Sequence, residues 1–314
     1  MIETIVSVQL PIKEALKIKK NRLTPDEITG NEKRICIVSG IYGDELGGQY
    51  ICGEVIRRIK QNYDMLKGIV DVYPTINPLG LDTRSRELPI FDQDYNTVFP
   101  GSIHGDLADY TAAKLIEDIK GADFCIDVHS SNVFLKELPQ IRVGNNVDQK
   151  TLDLCSCMNM DLIWIHPSTT VNQGSLAYAL NEIGVPTIVT ESGTAFRIKY
   201  EYCEQVIEGI FCLMKELGIW EGETIEPREA VTVTDDNIVY LNCETSGLFV
   251  THRHLYQRVS EGEVIGVITQ PILGSEVEEI VAPMDGIIIT LREHPGVSEG
   301  TLVGRIFKTR EVQE

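Results

Sequence analysis

The strongest constraint on this chain's fold is a change of rhythm part-way along it. Residues 1–220 alternate short apolar runs with longer amphipathic stretches. Arg34 to Ser39, Ile69 to Tyr73, Phe124 to Val128 and Pro186 to Thr190 read as strands. Between them, Glu45 to Ile59, His104 to Ile119, Ser175 to Ile183 and Tyr202 to Leu217 read as helices with one apolar face. Ser175 stands where an N-cap is expected, and Gly184 and Gly218 where helices stop. Strands that alternate with helices predict a layered α/β domain around a mostly parallel mixed sheet. In such sheets functional side chains gather beyond the carboxyl ends of the strands. Tyr42, Glu45, His129 and Glu191 all stand at such ends.

The rhythm shifts near Trp220-Glu221-Gly222-Glu223 to short strands and turns. The expected division is therefore an α/β domain over 1–222 and a small all-β domain over 223–314. The second part contains an internal repeat. Val259-Ser260-Glu261-Gly262 precedes Gly266-Val267-Ile268, and Val297-Ser298-Glu299-Gly300 precedes Gly304-Arg305-Ile306 at the same spacing. Two copies of one hairpin unit predict a small barrel or sandwich. The run Ala282-Pro283-Met284-Asp285-Gly286 resembles the barrel-sandwich modules of biotinyl and lipoyl carriers. Those carriers present a lysine at the hairpin tip, and no lysine lies near this run. A structural cap or an assembly surface is the expected role.

Composition excludes several classes of function. The formal net charge of -19 repels phosphate backbones and anionic membrane surfaces, so neither nucleic acid nor membrane is an expected partner. No apolar run is long enough to cross a bilayer, and Met1-Ile2-Glu3-Thr4 does not read as the start of a signal peptide. The eight cysteines are scattered, several within apolar runs, as reduced buried thiols are. The expected location is the cytoplasm. Oligomeric state is left open, a homo-oligomer included.

Four segments carry the chemistry. The first is Ser39-Gly40-Ile41-Tyr42-Gly43-Asp44-Glu45, between a strand and a helix. The second is Asn77-Pro78, with Arg86 nine residues after the asparagine. The third is Asp94-Tyr95-Asn96-Thr97-Val98-Phe99-Pro100-Gly101, and the fourth pairs Asp127-Val128-His129-Ser130-Ser131 with Thr190-Glu191-Ser192-Gly193. Together they resemble the succinylglutamate desuccinylase/aspartoacylase family, relatives of zinc carboxypeptidases. The resemblance implies a zinc-carboxypeptidase-like layered α/β domain, with a barrel-sandwich-like β domain behind it. It implies metal-dependent hydrolysis of a linear amide, such as an N-acyl amino acid or a similar small molecule. One Zn²⁺ per chain is implied, held by Glu45, His129 and residue 42. Glu191 is the implied general base, and Arg86 the implied stabiliser of the oxyanion. Asn96 is the implied holder of part of the substrate.

Two positions depart from the family pattern. Tyr42 stands where the family has a histidine ligand, and Thr97 where it has an arginine that grips a substrate carboxylate. A phenol binds metal well only after losing its proton, at an ordinary pKa of about 10. Three outcomes follow. Tyr42 is a weak or pH-dependent ligand; another group such as His104 or His166 completes the set; or metal binding is lost. Arg84 and Arg197 are candidates to replace the anchor missing at Thr97. Asp94 and Asp127 read as carboxylates that orient their neighbours. The competing function is a catalytically impaired family member that binds a small ligand in the former cleft.

Overall fold

The structure is a computed structural model that describes residues 1–89, 92–145, 147–167 and 173–308. An N-terminal hairpin, β1 (Ile2–Gln9) and β2 (Ala15–Leu23), precedes β3 (Arg34–Ser39), α1 (Leu46–Gln61), β4 (Ile69–Tyr73) and α2 (Pro78–Thr83). Then come α3 (Leu107–Ile119), β5 (Phe124–His129), β6 (Leu135–Gly144), α4 (Gln149–Ser156), β7 (Leu162–His166), α5 (Leu176–Glu182), β8 (Thr187–Gly193) and α6 (Tyr200–Glu216). The C-terminal part is built of strands, with one 3-10 turn at Asp235–Asn237. It comprises β9 (Val231–Thr234), β10 (Ile238–Asn242), β11 (Gly247–Val250), β12 (Arg258–Val259), β13 (Val264–Gln270), β14 (Ser275–Val281), β15 (Gly286–Arg292), β16 (Gly296–Val297) and β17 (Leu302–Lys308).

The expected strands and helices are present, with ends moved by a few residues. Asp106 and Ser175 cap α3 and α5 through side-chain oxygens, so each helix starts one residue after its cap. The hairpin β1–β2 and the strands β6 and β7 have no counterpart in the sequence reading. Lys20 breaks the alternation that Leu16 and Ile18 begin in β2, and Pro139 interrupts β6.

At the centre of the large sheet, β4, β3, β5 and β8 lie side by side and parallel. Parallel pairing recurs in the branch β6–β7–β9, and the rest of the sheet is antiparallel. The flanks β1–β2–β4 and β8–β6 are antiparallel. Helices cover both faces because the strand residues alternate between them. Ile35 and Ile37 of β3 point into a core with Ile51 and Val55 of α1 and Ile207 and Ile210 of α6. Cys36 and Val38 point into the opposite core, with Ala112 and Leu115 of α3 and Leu180 of α5. Full burial of each such aliphatic side chain stabilises the fold by about 1.5–3 kcal/mol.

After α6 the chain runs through strands and turns, and the sheet does not stop at the expected boundary 222/223. β15 pairs with β6, β9 pairs with β7, and β17 and β10 extend the same sheet. A second sheet, in the order β14–β13–β11–β16, packs on this extension around Phe249, Ile268, Ile288 and Ile306. The repeat is visible in the backbone: Gly262 and Gly300 both turn at φ +79°. The C-terminal part is thus a sandwich that grows out of the edge of the central sheet.

One close approach positions the site. A Cβ on Gly48 would lie 1.9 Å from Ser39 Oγ, so only glycine lets α1 sit this tightly on β3. That seating puts Glu45, the residue that begins the helix, against the end of β5.

Candidate active site

The four segments meet in one cavity of about 200 Å³. Its walls include Tyr42, Glu45, Arg86, Asn96, His129 and Glu191. In-register pairing of β5 with β8 places His129 opposite Glu191. The Asn-Pro motif acts as a clamp. Buried Asn77 caps α2 through Gly80 N–H at 2.8 Å and donates its amide to Ile41 O at 3.1 Å and Glu87 O at 3.2 Å. This holds the Tyr42 turn against the loop that carries Arg86.

Glu45 is buried and held by three donors. Ser130 N–H donates to its Oε2 at 3.0 Å, and His129 Nδ1 lies 3.0 Å from the same oxygen. Arg86 Nη1 donates to its Oε1 at 3.4 Å. The other nitrogen of His129, Nε2, is 3.1 Å from Asp127 Oδ1. Burial pulls the imidazole pKa down, but Asp127 and Glu45 outweigh it and hold it well above its ordinary value. His129 thus lies between two carboxylates that favour its protonated form.

Tyr42 does not turn its hydroxyl to Glu45 and His129. Its OH donates to Asp94 Oδ2 at 3.4 Å, and the Arg86 guanidinium carbon stands 3.4 Å from its ring centroid. Burial pushes the phenol far above its ordinary pKa. Among the described residues, no group of three or more His, Cys, Asp and Glu side chains is placed to hold a metal ion. His104 is exposed, and His166 stacks on Trp164 with Nδ1 3.4 Å from Asp235, so neither lines the cavity. The zinc implied by the resemblance does not fit these residues. It needs about three donors of ordinary kinds, and of the implied set Glu45, His129 and Tyr42 only the first two qualify. The Arg86 guanidinium and the His129 ring already meet the Glu45 carboxylate.

Glu191 lies beside His129 on the neighbouring strand. Arg142 Nη1 donates to its Oε1 at 3.4 Å. Burial pushes the Glu191 carboxyl up to about 7 against the pull of Arg142. Arg142 also donates from Nη2 to both oxygens of Glu137 at 2.9 Å, and Arg305 Nη1 donates to Glu137 Oε1 at 2.7 Å.

Of the expected substrate-binding residues, only Asn96 lines the cavity; its Oδ1 accepts from Leu176 N–H at 3.0 Å. Thr97 is exposed and donates its hydroxyl to Asp94 O at 2.7 Å. Arg84 is exposed at the C-terminal end of α2, and exposed Arg197 donates to Phe196 O. Neither arginine lines the cavity. The sequence reading missed Glu137, Arg142 and Arg305. Arg305 left one legible signal: it stands where the first copy of the repeat has Val267.

The model of the succinylglutamate desuccinylase/aspartoacylase catalytic domain matches residues 31–217. The chain belongs to this family. Family members are hydrolases, which supports amide hydrolysis as the general activity. Solved structures with the same fold include an ectoine utilization protein from Ruegeria pomeroyi in its product-bound form. That protein is 19% identical at a TM-score of 0.83, with 98% of this chain and 95% of the other covered. A succinylglutamate desuccinylase/aspartoacylase from Rhodobacter sphaeroides is 20% identical at 0.82, covering 98% and 96%. A succinylglutamate desuccinylase from Silicibacter sp. is 20% identical at 0.82, covering 96% and 93%. No curated protein matches the chain.

Proposed function

We propose that this chain hydrolyses a linear amide bond of a small molecule, an N-acyl amino acid or a related compound. The observation that carries the reading is Glu191, a half-buried carboxyl pushed up to about 7, in one cavity with Arg86 and His129. A base poised near neutrality takes a proton from water most effectively there. In the proposed reaction Glu191 removes a proton from a water molecule whose oxygen adds to the amide carbonyl carbon. Negative charge then develops on the carbonyl oxygen. Arg86 and the imidazolium of His129 stabilise it, the first by N–H donation and the second through its charge. The carbon–nitrogen bond breaks as Glu191 passes its proton to the leaving amine. The products are a carboxylate and an amine. No step is routed through zinc.

The test is release of primary amine from a panel of N-acyl amino acids by chelator-treated protein, compared with Glu191→Gln. Cleavage that falls about 10²–10⁴-fold in the variant supports the reading. Cleavage that persists in the variant, or no cleavage of any panel member, argues against it. The second reading, binding without turnover, is favoured by Tyr42 and Thr97, the two departures from the family pattern. Calorimetric binding of panel members without amine release is its signature.

A further inference from the structure

Arg142 stands between two carboxylates and favours one of them. Its Nη2 donates to both oxygens of Glu137 at 2.9 Å, whereas its Nη1 reaches Glu191 Oε1 only at 3.4 Å. Strand register sets up this choice. β6 carries Glu137 and Arg142, and its antiparallel pairing with β8 puts them opposite Gly193 and Val189, on either side of Glu191.

Glu137 is held in turn from the C-terminal sandwich. Arg305 Nη1 donates to its Oε1 at 2.7 Å, and Thr290 Oγ1 donates to the same oxygen at 3.2 Å. Thr290 pairs with Glu137 across β15 and β6, and both residues are buried. Charges of alternating sign thus run from β17 to the base in the order Arg305, Glu137, Arg142, Glu191. The sister copy of the repeat has Val267 at the place of Arg305, so the hairpin unit itself does not call for a charge there.

The charged groups that face Glu191 are Arg142 and Glu137 from β6, His129 from β5 and Glu45 from the start of α1. Of these, Arg142 is the one in hydrogen-bond contact with it. Glu191 is also the other carboxylate that Arg142 touches, so a guanidinium released by Glu137 would close on it. A carboxylate tied tightly to an arginine is a poor proton acceptor, because the contact favours its ionised form.

We infer that Glu137 is a positioning residue for the base: it draws Arg142 away from Glu191, and Arg305 and Thr290 of the C-terminal sandwich hold it where it can do so. The effect on turnover rests on the proposed amide reading; the geometry does not. The C-terminal part thereby takes a share in the chemistry beyond that of a cap.

The test is a double-mutant cycle of Glu137→Gln and Arg142→Met in the full chain, read by crystal structures and by kcat on the N-acyl amino acid panel. In Glu137→Gln the Arg142 guanidinium is expected to move to about 2.8 Å from the Glu191 carboxylate. kcat is expected to fall about tenfold or more with little change in KM, and the double variant to recover to the level of Arg142→Met alone. Glu137→Asp, which keeps the charge, should retain most of the parent's kcat. A purely structural Glu137 predicts instead losses that add in the double variant. If Glu137→Gln does not fold, its combination with Arg305→Met, which leaves no second guanidinium unpaired, carries the test on the same readouts. An Arg142 that stays off Glu191 when residue 137 is neutral, or additive losses, overturns the positioning role. No cleavage by the parent removes the hydrolytic reading, and the crystal structures still decide the positioning. Cleavage by the parent with Arg142 unmoved in the variant removes the positioning alone.

Discussion

His129 Nδ1 and Glu45 Oε2 lie 3.0 Å apart, with Asp127 behind the imidazole and Arg86 on the other oxygen of Glu45. Two groups that resemblance assigns to a metal are here partners of each other. Around Glu45 the Arg86 guanidinium supplies positive charge, and the two carboxylates hold the His129 imidazole well above its ordinary pKa. Protein purified without chelators is therefore expected to carry no stoichiometric zinc by elemental analysis. Tyr42→His restores a third ordinary donor and should tighten zinc binding by more than about tenfold in a competitive chelator titration. Equal affinity in variant and parent would mean that residue 42 cannot reach the site.

The protonation of His129 has a pH signature. Its pKa in the folded protein is raised above the unfolded value. The stability it contributes is therefore complete below the unfolded pKa of about 6.5 and is lost as pH rises through the folded value. Imidazole resonances assigned through His129→Gln should stay those of the charged ring well above pH 7. A ring that titrates like an exposed histidine would refute the assignment.

In the proposed reaction Glu191 sets the pH dependence of turnover. As a base it acts only when ionised, and burial pushes its carboxyl up to about 7. kcat/KM should therefore rise with pH through about 7 and then level off. Arg142 holds this pKa down, so Arg142→Met should move the rising limb to higher pH, and Arg142→Lys should move it less. An unshifted limb in Arg142→Met would separate the titrating group from Glu191.

The seating of α1 on β3 depends on Gly48. A methyl group there meets Ser39 Oγ at 1.9 Å. Gly48→Ala is expected to destabilise the protein by about 1–3 kcal/mol in urea unfolding, because the packed strand end has no room to yield. A variant as stable as its parent would show that the helix moves outward without loss.

The clamp at Asn77 gives a separate prediction. Replacing it with alanine removes the cap of α2 and leaves the carbonyls of Ile41 and Glu87 without their donor. A loss of about 1–3 kcal/mol is expected, together with weaker ligand binding, because the Tyr42 turn and the Arg86 loop come apart. Full stability with unchanged calorimetric affinity would contradict the clamp.

Much of the architecture was legible in the residues themselves. The apolar runs of β3, β4, β5 and β8 and the faces of α1, α3 and α6 follow from side-chain periodicity, which is a local property. The repeat in the C-terminal part is likewise written in order along the chain. So were Glu45, His129, Glu191, Arg86 and Asn96, because each stands at a strand end or at motif spacing. Local order could not reveal that β6 and β7 pair with β15 and β9, since that pairing joins segments some 70 to 150 residues apart. Nor could it place Arg142 and Arg305 around Glu137, or turn the hydroxyl of Tyr42 toward Asp94. Those outcomes depend on which buried charges find partners once the sheet has closed, and only the tertiary structure decides that.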